Sequence, residues 1–227
     1  MPTLNRYVFG DIESTGLGND AGIVEISWVE TDGEFNEVAH FSSLINPQKP
    51  IQYGAMAVHG ISEEMVKNSP TIDEFMKDMN YPLSGPGVVL VAHNAAFDIK
   101  FFRHWMNEPN TICTLKAARI VYPDAENHKL GTLRCMLNLD GSAKKAHSAQ
   151  EDVSVLVQLV KRMCMDADCS LEQLMHIQNI PRVITKMTFG KKHYGKKLED
   201  VPKDYIEWML REVKNLDPDL RASLLKL

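Results

Sequence analysis

Between residues 23 and 30 apolar and polar side chains alternate: Val24, Ile26 and Trp28 share one face, Glu25 and Ser27 the other. That two-residue period predicts a half-buried strand. Residues 6–13 read as a strand ahead of it, turning at Ser14-Thr15-Gly16, and Thr31-Asp32-Gly33 is a turn signal before a returning strand at 38–45. An antiparallel meander follows from these turns.

Pro47, Pro50 and Gly54 end the meander. Helices are expected next: Ser62 can cap one, and Thr71 with Glu74 three residues on is a capping-box pattern opening a helix at 72–79. The unbroken apolar run Val88–Ala92 predicts a strand buried on both faces. A helix is expected over 95–106, a short strand near 111–113, a helix to about residue 121, a loop over 122–128 and a short helix over 129–137. Val153, Leu156, Val157, Val160 and Cys164 keep helical spacing across 149–165. Three antiparallel strands followed by alternating strands and helices predict an α/β fold with a mixed five-stranded sheet flanked by helices. Composition shifts around residues 166–171, and a boundary is expected between 168 and 182, dividing the chain into 1–168 and a small α-rich module, 169–227. The tail should hold a short helix at 171–178, a Lys- and Gly-rich segment at 185–197 and two helices, with Pro202 in the first turn of one and Asp217-Pro218 opening the other.

The chain has 227 residues, 44% of them apolar and 24% charged. A chain of this length buries roughly 70% of its unfolded surface and needs no disulfide or structural metal to fold. Disordered and fibrous classes are excluded. The longest apolar run falls far short of the roughly 20 residues of a membrane helix, and residues 1–7 lack the apolar core of a signal peptide. A cytoplasmic location without a membrane partner is the expectation. Cys113, Cys135, Cys164 and Cys169 show no CxxC pair and no spaced histidine pair, so reduced thiols are expected rather than zinc. The net charge of −5 argues against coating nucleic acid by bulk attraction.

The acids change the picture. Asp11 and Glu13 sit two residues apart on a strand, so both carboxylates point to one face and Ile12 to the other. Two acids so placed repel unless one protonates or a hard cation sits between them. Asp98 follows the buried strand in His93-Asn94-Ala95-Ala96-Phe97-Asp98, and His147 precedes Asp152 at the opening of a helix. Each has an ordinary explanation alone: a solvated strand end, a helix cap, a surface histidine, an acid complementing a helix dipole. Their order and spacing in one chain carry the signal.

Asp-x-Glu, then His-Asn-x-x-Phe-Asp, then His-x4-Asp resembles the DEDDh 3′-5′ exonuclease superfamily, on a ribonuclease H-like fold. Val58–Ile61, Ile112–Arg119, Thr188–Lys191 and Asp217–Arg221 extend the resemblance to its bacterial and phage exonuclease X-like branch, over nearly the whole chain. The resemblance implies that Asp11, Glu13, Asp98 and Asp152 hold two Mg²⁺ or Mn²⁺ ions and that His147 is the general base. It also implies that Ser14, Gly16, Leu17, His59, Asn94 and Phe97 meet the terminal nucleotide, with Leu17 wedging against the last base. The implied substrate is DNA with a free 3′ end, single-stranded and with duplex left open; RNA is not excluded, since the residues read here could bind either sugar. An exoribonuclease or a polymerase proofreading subunit is the alternative within the enzyme class. A non-catalytic nucleic-acid-binding module is the alternative outside it. Four carboxylates carry −4, which two divalent ions would balance, so a loaded site accepts a phosphodiester that a bare one repels.

Lys186, Lys191, Lys192, Lys196 and Lys197 interleave with Phe189 and Tyr194 in the tail. Such a segment either grips a nucleic-acid backbone or is a solvated hairpin. Its GxxxxGK substring lacks the following Ser or Thr and an immediately preceding buried strand, so no ATP site is expected.

Overall fold

The computed structural model describes residues 5–18, 20–106, 109–139 and 148–227. Strands β1 (Arg6–Ser14), β2 (Ile23–Thr31) and β3 (Glu37–Leu44) form the antiparallel meander. Helices α1 (Tyr53–His59), α2 (Glu63–Val66) and α3 (Ile72–Met79) follow. Both arms of the capping box exist: the Glu74 backbone N–H donates to Thr71 Oγ1 at 3.3 Å, and the Thr71 N–H donates to Glu74 Oε2 at 2.8 Å. Ser62 stands at the N-cap of α2, but its hydroxyl makes no capping hydrogen bond.

Strand β4 (Val88–Ala92) then joins β1 in parallel, and after α4 (Ile99–Phe102) strand β5 (Asn110–Cys113) joins β4 in parallel. The sheet order is β3-β2-β1-β4-β5. Helices α5 (Thr114–Val121), α6 (Leu130–Met136), α7 (Ala149–Asp166) and α8 (Leu171–Ile177) complete the first unit.

The pleat of β1 divides its side chains between two cores. Tyr7 and Phe9 pack with Val153, Leu156 and Val160 of α7 on one side. Val8 and Ile12 pack with Ile26, Trp28 and Phe102 on the other. Gly10 belongs to the second side, where a Cβ would lie 2.6 Å from the Phe102 ring; the glycine lets that ring press onto the strand.

One expectation is corrected. The helix expected over 95–106 is reduced to the single turn α4, flanked by i→i−3 hydrogen bonds such as Phe97 N–H to Asn94 O at 2.8 Å and Trp105 N–H to Phe102 O at 2.9 Å. Asp98 and Phe102, four residues apart and linked by the Phe102 N–H to Asp98 O bond at 3.1 Å, are both buried. The first compact unit runs to Asn179, and α8 buries Leu171 and Leu174 in the α7 core. The Gln178 amide also serves β5: its Oε1 accepts from the Cys113 N–H at 2.7 Å and its Nε2 donates to Thr111 O at 2.6 Å.

The second unit, Ile180–Leu227, has its own core of Met187, Leu198, Val201, Ile206, Met209, Leu216, Leu220 and Leu224. It holds a bridge between Lys186 and Lys197, a 3₁₀ turn (Leu198–Asp200) and helices α9 (Lys203–Glu212) and α10 (Pro218–Leu224). Pro202 stands at the N-cap of α9, and the Asp217 carboxylate caps α10 by accepting from the Asp219 and Leu220 N–H groups. Among the described residues no helix is long and apolar enough to cross a membrane.

Candidate metal centre and active site

Because Ile12 is drawn into the Trp28 core, Asp11 and Glu13 are turned to the face of β1 that α7 covers. Asp152 lies in the first turn of α7, its backbone N–H bonded to Ser148 O at 2.9 Å. Carboxylate oxygens of Asp11, Glu13 and Asp152 all come within 4.8 Å of one another. Asp98, almost fully buried, enters from the turn after β4, close enough for its charge to act on Asp11.

Crowding and burial together raise the cost of ionising these groups. Burial, then the charges of Asp98, Asp152, Glu13 and Glu25, hold the Asp11 carboxyl well above the usual carboxylate range. Glu13 is pushed up to about 7, first by burial and then by Asp152 and Glu25. Asp98 is also raised, chiefly by burial, against the pull of backbone hydrogen bonds from Asp98 itself and Ile12. Among the described residues, the groups shifting these three carboxyls include no cationic side chain. A set of oxygen donors that cannot all ionise in the open fits a hard divalent ion.

Glu25 is the residue the alternation pattern did not single out. It stands opposite Glu13 in the β1–β2 register, and its carboxylate accepts from the Ala149 N–H at 3.0 Å and from Ser148 Oγ at 3.4 Å. The Ser148 hydroxyl makes no cap within its own helix, so a strand acid supplies the acceptor that the first turn of α7 needs. That bond fixes the turn carrying Asp152. The signal was available: in an antiparallel pair, a Glu on β2 directly across from a Glu on β1 shares its face.

The remaining expected residues fall around this cluster in different ways. Ser14 is buried and its hydroxyl donates to Gly16 O at 2.8 Å, so it shapes the turn. Gly16 is buried too, with the Gln52 side chain 2.5 Å from where a Cβ would be; the close approach it permits is to the protein's own amide. Leu17 is 83% exposed, which removes a core role for it. His59 is buried, its Nδ1 accepts from the Ile61 N–H at 3.0 Å, and burial pushes its pKa down against a backbone contact from Ser14. Asn94 is exposed in the left-handed region at φ 70°, a turn residue rather than a helix cap. Phe97 is half-buried against Phe101, ring centres 5.5 Å apart. His147 lies outside the described residues.

Comparison with known proteins returns a consistent picture. The exonuclease family model RNase_T matches residues 8–160. Exodeoxyribonuclease 10 of Escherichia coli strain K12 is 31% identical over 220 residues, covering 94% of each chain. DNA polymerase III subunit epsilon of Rickettsia typhi is 31% identical over 167 residues, 68% of this chain and 72% of that one. Among solved structures, exonuclease X in complex with 5′ overhanging duplex DNA superposes with a TM-score of 0.60 at 30% identity, over 78% of this chain and 100% of that one. E. coli exonuclease I in complex with a dA16 oligonucleotide shares the fold, with a TM-score of 0.61 at 19% identity over 76% of this chain and 42% of that one.

Two outcomes follow from the geometry. Carboxyls raised on folding hold protons that the unfolded chain has released, so stability of the metal-free chain declines as pH rises from the ordinary Glu value of 4.5 to about 7. Thermal melts in chelator should show Tm falling across that window, and Mg²⁺ should restore it above neutrality; a Tm that rises across the window contradicts the cluster. For Glu25, Glu25→Ala should lower metal affinity by roughly 10–100-fold, while Glu25→Gln, which keeps one acceptor oxygen for the Ala149 N–H, should retain most of it. Equal losses in the two variants, read by Mn²⁺ titration, would show that charge rather than helix docking is the contribution.

Proposed function

The chain belongs to the RNase_T exonuclease family, and from that membership we propose that it is a two-metal 3′-5′ exodeoxyribonuclease releasing nucleoside 5′-monophosphates. The observation carrying this reading is the convergence of Asp11, Glu13 and Asp152 to within shared-ligand distance, with Asp98 beside them. The relatives that match include an exodeoxyribonuclease over 94% of the chain, whereas the polymerase subunit matches over 68%. The greater reach, into the second unit, favours the free exonuclease over a proofreading subunit.

Asp11, Glu13, Asp98 and Asp152 would hold Mg²⁺, with Mn²⁺ able to substitute, by carboxylate oxygens. Bound ions of this kind supply Lewis acidity and neutralise charge in an in-line displacement at phosphorus. His147, in its neutral form, would take the proton of the attacking water. The water oxygen bonds to phosphorus, the bond to the preceding 3′-oxygen breaks, that oxygen takes a proton from solvent, and His147 returns the proton it took to solvent. Leu17, exposed, would press on the terminal base, and His59 would meet the same nucleotide. Phe97 and Asn94 would wall the other side. Nothing in this set reads base edges, so cleavage should depend little on sequence.

The test uses 5′-labelled single-stranded DNA, matched duplex and RNA oligonucleotides. Ladders shortening from the 3′ end should appear with Mg²⁺ and vanish in chelator, and Asp152→Ala and His147→Ala should each slow them by at least ~10²-fold. Digestion that persists in chelator, or in Asp152→Ala, overturns the reading; faster digestion of RNA than DNA overturns the substrate assignment.

A further inference from the structure

The second unit carries eleven Lys and Arg against seven Asp and Glu, a balance of +4 within a chain of −5. Residues 1–179 therefore carry −9. The positive charge is also unevenly spread. Lys186, Lys191, Lys192, Lys196 and Lys197 fall in one loop, all exposed, and no acid lies between residues 182 and 198. Only Lys197 has an ion-pair partner among the described residues of this loop, Glu199 at 3.4 Å on the surface.

The loop is built rather than merely exposed. Met187, His193 and Leu198 are buried, and they pin its two arms to the unit's core. The arms are zipped by Met187 N–H to Lys196 O at 2.7 Å, Gly195 N–H to Met187 O at 2.8 Å and Leu198 N–H to Thr185 O at 2.9 Å. Left-handed turns at Gly190 and Gly195, φ 72° and 79°, reverse the chain. At Gly190 a Cβ would meet the Tyr205 hydroxyl at 2.9 Å, so the glycine seats the loop against α9. His193 packs on Tyr205 with ring centres 4.6 Å apart, and Tyr205 on Trp208 at 5.5 Å. Burial, then the charges of Lys196 and Lys192, push the His193 pKa down. Left on the outside with the lysines are Phe189 and, 70% exposed, Tyr194.

We propose that this loop is a second nucleic-acid-binding surface, gripping the phosphate backbone of single-stranded DNA with Lys186, Lys191, Lys192 and Lys196 and stacking bases on Phe189 and Tyr194. A cluster of like charges held on a rigid loop costs self-repulsion unless a polyanion occupies it, and holding the lysines in place beforehand lowers the ordering entropy of binding. Aromatics beside the lysines provide the base-stacking half of sequence-tolerant single-strand recognition. The substrate class rests on the exonuclease reading, but the surface does not use its active site. Since the loop is tied to that site by the chain itself, it raises the local concentration of strand.

The experiment measures fluorescence anisotropy of a labelled single-stranded 30-mer with the full-length chain in chelator, over a series of salt concentrations, so binding is read whether or not the chain hydrolyses DNA. Replacing Lys191, Lys192 and Lys196 by Ala together should weaken binding at low salt at least tenfold and flatten the log K against log salt slope by about two, at roughly 0.7 per phosphate contact. Replacing the same three by Arg should preserve both affinity and slope. Phe189→Ala with Tyr194→Ala should weaken binding with the slope unchanged. A circular dichroism melt identical to the parent chain's establishes that the Ala variant is folded. A folded Ala variant with the parent affinity and slope overturns the proposal, as does loss of binding to anionic phosphatidylglycerol vesicles with none to DNA.

Discussion

Repulsion among carboxylates organises this molecule. Asp11, Glu13, Asp98 and Asp152 arrive from three separate parts of the sheet and its covering helix, and the fold holds them where water is partly excluded. Such a cluster opposes folding at neutral pH, and proteins retain costs of this kind where a ligand relieves them. The cation that would relieve it also reverses the sign of the site, turning a surface that repels phosphate into one that accepts it. Stability, metal affinity and substrate binding are therefore linked through the same few oxygens.

Holding the cluster together falls to two arrangements in the surrounding structure. The pleat of β1 sends Ile12 into one core and so commits Asp11 and Glu13 to the other face. Glu25 then anchors the first turn of α7 through the Ala149 N–H, which sets where Asp152 stands. An acid at a helix N-terminus is favourable on its own account, so one contact serves the helix and the centre alike. Its cost is a further negative charge beside Glu13, seen in the upward shift that Glu25 contributes there.

Much of this was legible in the residues. The alternation at Val24, Ile26 and Trp28, the apolar run of β4 and the Thr71–Glu74 box gave elements that the structure holds, and the spacing of the four acids named the cluster. What escaped was set by distant contacts. Glu25 reads as the polar face of a strand until Ala149, 124 residues on, docks upon it. The stretch after β4 has helical apolar spacing, yet the structure holds it as one helical turn with i→i−3 bonds on either side. The hydrogen bonds by which the Gln178 amide ties the end of α8 to β5 leave no trace in local pattern. The charge asymmetry between the two units was in the sequence from the start; the loop bonds that fix the lysines in place were not.

The central claim is that these carboxyls share protons until divalent ions take them over. Titration calorimetry of Mg²⁺ into the chain near neutral pH, repeated in two buffers of different ionisation enthalpy, measures the protons displaced. Proton release that shrinks when the titration is repeated well above the raised Glu13 value of about 7 is the predicted result. Binding without proton release near neutrality, or no binding at all, would contradict it.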